Sequence, residues 1–245
     1  PDKTVANRIE MMQRLMLNKE TLLEVIQYYV EYESDGNKTI KKIAQQHQYM
    51  GVKAAVKRTL EVYPQTGENR IGVIWHTTGS GKSLTMILYT NIISQIKQFE
   101  NPTFVVLTDR KDLDEQLGNF FEVAGFPYPK PKTAIQEADS IVDLREKLAV
   151  PAGKIIFTTI QKFQTTQDEK EGMAKYPLIS DRRNIIIIAD EAHRSQYKTM
   201  AQNLQRALPN ALKIGFTGTP IEKEDKSTTH VFGEVLSAYR ISDAV

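Results

Sequence analysis

Short apolar runs and longer stretches with helical spacing alternate through most of this 245-residue chain. The runs are continuously apolar, as in strands that are buried on both faces of a parallel sheet. The stretches between them carry apolar residues three or four positions apart, as amphipathic helices do. Strands are predicted at 71–75, 103–108, 154–158, 185–190 and 212–216, and helices at 82–98, 111–122, 140–148 and 194–207. The pattern predicts an α/β fold in which helices cover both faces of a parallel sheet.

A different pattern precedes this alternation. Residues 4–17, 20–33 and 41–60 keep helical spacing without intervening apolar runs. Asn18 is placed to cap the second of these helices, and 34–37 is a polar turn. A short helical segment is therefore expected ahead of the sheet.

The composition of the chain limits the partners and sites that it can have. The net charge is only +2, from 32 basic and 30 acidic residues, so a nucleic-acid surface would have to be local. The absence of cysteine excludes disulfides and thiolate metal sites and favours a cytoplasmic protein. No run approaches the ~18 apolar residues of a membrane span.

The first candidate site is a glycine-rich loop, His76-Thr-Thr-Gly-Ser-Gly-Lys-Ser83, between a predicted strand and a predicted helix. Such a loop directs backbone N–H groups at phosphates, while Lys82 would reach the β- and γ-phosphates and Ser83 would bind Mg²⁺. His76 stands where this motif usually begins with glycine. A plain glycine turn is the structural alternative, which the strand–loop–helix setting disfavours. The predicted nucleotide-binding residues of the loop are Thr78, Gly79, Ser80, Gly81, Lys82, Ser83 and Leu84.

A second motif follows the apolar run 185–188. Asp190 and Glu191 stand at its carboxyl end, where ligands bind in open α/β sheets. Asp190 is placed to hold Mg²⁺, and Glu191 to activate the attacking water. The motif suggests that His193 relays between ATP and the other motif loops. The alternative is an ordinary residue at the amino end of a helix. With Lys82 these two acidic residues are the predicted catalytic set.

The ordered motifs resemble the first RecA-like lobe of a superfamily 2 helicase or translocase, and more narrowly the motor part of the R subunit of type I restriction–modification enzymes. The resemblance covers the chain from about residue 10 to its end. It rests on His76–Ser83, Thr108-Asp-Arg-Lys-Asp-Leu-Asp-Glu-Gln116, Phe157-Thr-Thr-Ile-Gln-Lys-Phe163, Asp190-Glu-Ala-His-Arg-Ser-Gln196 and Phe216-Thr-Gly-Thr-Pro220.

The resemblance implies further roles. Gln48 would read the adenine of ATP, since an amide can donate to and accept from adenine's edge; Gln45 and Gln46 leave the exact residue open. His193, Thr217 and Thr219 would couple the nucleotide site to DNA. The residues implied to contact DNA are Arg110, Thr159, Gln161 and Lys162. The structural alternatives are a solvent-exposed helix face for Arg110 and capping of a strand end for the other three.

The resemblance also implies an organisation and partners. Residues 1–65 would be a lead-in, 66–237 the ATP-binding lobe, and 238–245 the start of a linker to a second lobe. ATP and Mg²⁺ are the implied cofactors. Double-stranded DNA and the modification (M) and specificity (S) subunits are the implied partners. Without a nuclease domain and a second lobe with its arginine finger, we expect a motor half that hydrolyses ATP poorly.

Two other functions remain open from the sequence. The chain could be a lobe of another superfamily 2 helicase or remodeler. A nuclease domain in the upstream sequence would instead support the restriction enzyme. It could also be a nucleotide-switched assembly module that does not translocate, which DNA-stimulated ATPase activity would exclude.

Overall fold

The chain is described by a computed structural model over residues 18–35, 38–108, 135–150, 153–166, 176–190, 197–218 and 226–243. Its centre is a seven-stranded sheet in which every neighbouring pair is parallel. In chain order the strands of this sheet are β3 (Arg70–His76), β4 (Thr103–Thr108), β5 (Ile135–Glu137), β6 (Ile155–Thr159), β7 (Ile185–Asp190), β8 (Leu212–Thr217) and β9 (Val235–Tyr239). Their spatial order is β5-β6-β4-β7-β8-β3-β9.

Helices lie on both faces of this sheet. The described helices are α1 (Lys19–Tyr28), α2 (Gln46–Val62), α3 (Lys82–Gln95), α4 (Ile141–Ala149), α5 (Tyr197–Ala207) and α6 (Lys226–Phe232). Short 3₁₀ turns occupy Lys97–Phe99, Ile160–Phe163 and Ile241–Asp243.

The strands β3, β4, β6 and β7 divide their side chains between two cores. In β7, Ile186 and Ile188 join the cluster beneath α1, α2 and α3, whereas Ile185 and Ile187 join the cluster beneath α4, α5 and α6. Alternation across a pleated strand has this result when both faces are covered. The predicted α/β fold with helices on both faces is confirmed.

The segment ahead of the sheet differs from its prediction. Asn18 caps α1 as expected, since its side chain accepts from the N–H groups of Glu20 at 2.9 Å and Thr21 at 3.3 Å. The helix predicted to run to residue 33 instead ends at Tyr28. The strands β1 (Val30–Asp35) and β2 (Lys38–Ile43) follow as an antiparallel hairpin.

In β2 the apolar residues Ile40 and Ile43 are three positions apart, a spacing that also fits a helix. The helix predicted at 41–60 begins only at Gln46 and reaches Val62. The lead-in is thus partly β structure.

Two strands of the main sheet were not predicted. The strand β5 has three residues, too few to give a pattern, and β9 pairs with β3 over Val235–Tyr239. The sheet therefore continues two residues into the segment 238–245 that the sequence suggested as a linker. The helices predicted at 4–17 and 111–122 lie outside the described residues.

Candidate nucleotide site

The phosphate-binding loop joins the end of β3 to the start of α3, as predicted. Gly79 and Gly81 have φ values of +83° and +78°, which side chains with a Cβ rarely adopt. The Ser80 N–H donates to the Thr77 carbonyl at 3.2 Å and closes the loop on itself. Lys82 is the first residue of α3, so the amino end of this helix faces the loop.

Gly218, which follows β8, lies against the loop. A Cβ placed on Gly218 would fall 2.9 Å from Lys82 Nζ and 2.8 Å from Thr78 Oγ1. A side chain on Gly218 would require the Lys82 and Thr78 side chains to shift. The end of β8 and the Lys82 ammonium therefore meet, as the implied coupling role of this segment requires. Thr217 is fully buried in β8, and Thr219 lies outside the described residues.

Asp190 ends β7, next to β8 in the sheet. Its register partner is Phe216, which pairs in turn with Ile74 shortly before the loop. Because β8 alone separates β7 from β3, the two strand ends lie roughly 10 Å apart. Asp190 is half-buried and faces the same edge of the sheet as the loop. Glu191 and His193 lie outside the described residues.

Ser83 and Asp190 offer hydroxyl and carboxylate oxygens at this edge, and hard cations such as Mg²⁺ prefer such ligands. Ser83 lies in the first turn of α3 and is half-buried, as is Asp190. The donor types fit a Mg²⁺ ion carried by nucleotide phosphates and water. Within the described residues, no group of three or more His, Cys, Asp or Glu side chains could hold a metal without such help. The Leu84 side chain packs against the core.

Gln48 lies at the amino end of α2 and contacts the loop directly. It is 3% exposed, and its Nε2 donates to the carbonyl groups of Ser80 at 3.2 Å and Gly81 at 3.1 Å. Its Oε1 accepts from the N–H of Gln45 at 2.8 Å. The predicted adenine-reading residue is thus beside the loop, with its amide directed at the loop's backbone.

A cluster that the sequence did not reveal surrounds this contact. The His47 ring stacks on Tyr239 at 3.9 Å between centroids with 7° between planes, and its Nε2 lies 3.0 Å from the Ser80 carbonyl oxygen. The ring of His76 meets His47 edge-on at 5.0 Å, and His76 Nε2 lies 3.0 Å from Ser237 Oγ. The strand β9, which supplies two of these residues, had no recognisable signal.

His76 occupies the position of the missing first glycine and is fully buried. Burial lowers its pKa to about 4, helped by the neighbouring His47 and Lys82, so that it is neutral near pH 7. Gly51 of α2 permits this packing, because a Cβ there would lie 3.1 Å from the His76 ring. His76 therefore acts as a core residue between α2 and β9.

The residues predicted to contact DNA separate into different environments. Thr159 is 7% exposed at the end of β6, and Gln161 is half-buried in the following 3₁₀ turn. Lys162 is 8% exposed, and its ammonium donates to the Ala138 carbonyl. With its ammonium buried against a backbone partner, Lys162 is not directed at a DNA phosphate in this structure. Arg110 lies outside the described residues.

Comparison with known proteins agrees with this geometry. A SWI2/SNF2 ATPase family profile matches residues 47–245. The type I restriction enzyme HindI endonuclease subunit of Haemophilus influenzae is 43% identical over 94% of this chain and 22% of its own length. The putative type I restriction enzyme MjaIXP endonuclease subunit of Methanocaldococcus jannaschii is 43% identical over 94% of this chain and 21% of its own. The chain spans about a fifth of the length of these relatives.

Solved structures share the fold at low sequence identity. The UvsW helicase from bacteriophage T4 gives a TM-score of 0.55 at 15% identity, over 89% of this chain and 67% of that one. A nuclease-deletion mutant of the type ISP restriction–modification enzyme LlaGI, in complex with a DNA substrate mimic, gives 0.53 at 16% identity over 83% of this chain and 20% of that one. No helix among the described residues is long and apolar enough to cross a membrane. The predicted resemblance to R subunits is confirmed by these similarities, and the chain belongs to the SWI2/SNF2 ATPase family.

Proposed function

We propose that this chain is the ATP-binding motor lobe of a type I restriction enzyme R subunit. The lobe drives ATP-dependent translocation of double-stranded DNA before a nuclease domain elsewhere in the protein cleaves it. The observation that carries the proposal is the meeting of Lys82 and Gly218 at the loop, beside the strand that ends in Asp190. The similarity to restriction endonuclease subunits supports the choice of this function over other nucleotide-driven ones.

Each residue has a defined part in this proposal. The N–H groups of the loop bind the phosphates, and Lys82 neutralises charge on the β- and γ-phosphates. Ser83 and Asp190 hold Mg²⁺, which when bound polarises the phosphoryl group, and Glu191 orients the attacking water. Thr217, Thr219 and His193 couple hydrolysis to DNA. A second lobe would complete the site with an arginine.

The remaining partners follow from the same proposal. Arg110, Thr159 and Gln161 are proposed to contact the DNA backbone, which positions a motor without reading sequence. Modification and specificity subunits would supply sequence recognition. The protein would act in the cytoplasm, where chromosomal and invading DNA are both accessible to it.

The test is ATP hydrolysis by the full-length protein with and without double-stranded DNA. We expect DNA to stimulate turnover, and we expect Lys82→Ala and Asp190→Ala to lower it by on the order of 10²–10³. Lys97→Ala, which alters an exposed lysine beyond α3, is the matched control and should hydrolyse ATP normally. Displacement of a DNA third strand ahead of the protein would report translocation itself. ATPase activity that DNA does not stimulate would refute the motor in favour of a switch.

A further inference from the structure

One face of α1, its outer face, exposes three large apolar side chains. Leu22, Leu23 and Ile26 are 40%, 55% and 60% exposed. The opposite face of the same helix packs on the core through Val25, beside the buried capping residue Tyr29. A helix that is apolar on both sides normally has a partner on each of them. The outer face therefore lacks a partner among the residues that the structure describes.

The chain changes direction where α1 begins. Asn18 has φ −63° and ψ 127°, which is an extended conformation, and its side chain caps the first N–H groups of α1. The residues ahead of Asn18 therefore do not continue α1 as one straight helix. Asn18 lies one helical turn before Leu22, because its carbonyl accepts from the Leu22 N–H at 2.8 Å. The chain thus leaves α1 at the amino end of the outer face.

The sequence ahead of Asn18 carries an apolar stripe that suits this face. Over 4–17, where the sequence predicts a helix, four apolar residues are spaced by four, three and four positions: Val5, Ile9, Met12 and Met16. This spacing places them on one side of a helix and is typical of helices that pack side by side. A single helix of this length is marginal in water, so its stripe needs a surface to cover it.

The length and the register of the two segments agree. A helix over 4–17 would be about 21 Å long, and the ten residues of α1 extend about 15 Å, so the first can cover the second. If the two run antiparallel, residues that are equally far from the turn at 17–18 lie opposite each other. Met12 then falls opposite Leu23, and Ile9 falls opposite Ile26. The stripe of one segment meets the exposed face of the other.

We propose that residues 4–17 form a helix that packs antiparallel on the outer face of α1 and covers Leu22, Leu23 and Ile26. The segment then belongs to the lobe as a further helix instead of serving as a flexible tether. It also brings Val5 beside the carboxyl end of α1, where the hairpin of β1 and β2 begins. The proposal is independent of the proposed function, because neither nucleotide nor DNA takes part in this packing.

Disulfide cross-linking tests the packing directly, because the chain has no cysteine of its own. The chain carrying Met12→Cys together with Leu23→Cys is treated with oxidised glutathione, and the cross-linked peptides are identified by mass spectrometry after proteolysis. The control combines Arg14→Cys with Leu23→Cys, since Arg14 is nearer to Leu23 along the chain but lies on the polar side of the predicted helix. We expect the first pair to close roughly tenfold faster, because cysteines whose Cα atoms are more than about 7 Å apart cannot be joined.

The outcomes of the cross-linking separate the possible occupants of the outer face. Faster closure of the Met12 pair within one chain supports the proposal. Equal rates for the two pairs would show that the segment turns no fixed side towards α1, and the proposal would fail. Bonds that form only between chains would mean that a second copy covers the face. That result, or no bond in either pair, would overturn the proposal as well.

Hydrogen exchange tests the same packing in a chain without cysteine. Ile9→Asp places a charge on the apolar stripe, and the Leu22 amide proton, which closes the first turn of α1, should then exchange roughly tenfold faster. Asn7→Asp places the same charge on the polar side and should leave this exchange unchanged. Exchange in β7 should be equal in both variants, which shows that the lobe stays folded. If the Leu22 amide exchanged at the same rate in both variants, the segment would not cover α1.

Discussion

Replacing Arg183 by alanine removes the group that closes the carboxyl end of α2. The guanidinium donates its Nε–H to the Tyr63 carbonyl and its Nη2 hydrogens to the carbonyls of Val62, Gln65 and Glu68. Nη2 has two hydrogens, so its three acceptors share them, and three donor hydrogens serve four carbonyl groups. The last carbonyls of a helix have no partner within the helix, and a cation there also interacts favourably with the negative end of the helix dipole. Arg183 therefore joins the end of α2 to the start of β7.

The size of the effect follows from these contacts. A hydrogen bond from a charged donor contributes about 1.5–3 kcal/mol to stability where water is excluded. Arg183 is only half-buried, and water can reach part of the α2 terminus, so about 1 kcal/mol for each donor hydrogen is the appropriate scale. We expect Arg183→Ala to lower the free energy of unfolding by about 3 kcal/mol. For a chain of this size that is about 6–12 °C in Tm.

Urea denaturation and thermal melting of the wild type and the variant measure this difference. Arg206→Ala removes the same side chain from an exposed position on α5 and should change the free energy of unfolding by less than about 0.5 kcal/mol. Arg183→Lys keeps the charge without the planar fork and should fall between the two. If Arg183→Ala and Arg206→Ala destabilised the chain equally, the account of the α2 terminus would be refuted.

Three further substitutions test other parts of the site. Gly81→Ala should weaken nucleotide binding and cost about 2 kcal/mol of stability, because φ is +78° and the new Cβ would meet Gln48. His76→Gln should flatten the pH dependence of stability. The pKa of His76 is about 4 in the fold and near 6.5 when unfolded, so the wild type loses up to about 3 kcal/mol as pH falls through this window. Lys162→Met should lower Tm without changing the salt dependence of DNA binding, since the ammonium is buried.

Each of these three predictions has a matched control variant and an outcome that would contradict it. Gly67 also has a positive φ, +87°, but a Cβ there meets nothing within 4 Å, so Gly67→Ala isolates the backbone strain. Equal nucleotide affinities in the two glycine variants would contradict the close-approach argument. His230→Gln alters an exposed histidine and should leave the acid slope intact. If the salt dependence of DNA binding were weaker in Lys162→Met than in Lys97→Met, Lys162 would contact DNA after all.

The five central strands were predictable because they are buried on both faces. A strand such as Ile185–Asp190 meets apolar side chains above and below, so nearly every position must be apolar. The glycines of the phosphate-binding loop were equally visible, because positive φ at Gly79 and Gly81 limits the residue type. In both cases the local environment restricts the sequence itself.

The hairpin of β1 and β2 was missed because the side chains that the structure describes in it are mostly exposed. Few apolar positions therefore distinguished a helix from an extended strand over residues 30–43. The Gly36-Asn37 pair that separates the two strands is a common hairpin signal, and it was read as a turn between helices. The edge strands β5 and β9 failed for a related reason, since each pairs on one side only.

The contacts of Gln48 could not be predicted from the sequence for a different reason. The sequence predicted an amide beside the phosphate-binding loop, and the structure places the Gln48 amide there because α2 lies against the loop. Its hydrogen-bond partners, however, depend on where the Ser80 and Gly81 carbonyls point, and that is decided by loop dihedrals and by the packing of His47 on Tyr239. A sequence motif specifies which group is available, whereas the tertiary contacts specify which partner it meets. The contact of the Gln48 amide with the loop's backbone is therefore a tertiary feature that no sequence pattern specifies.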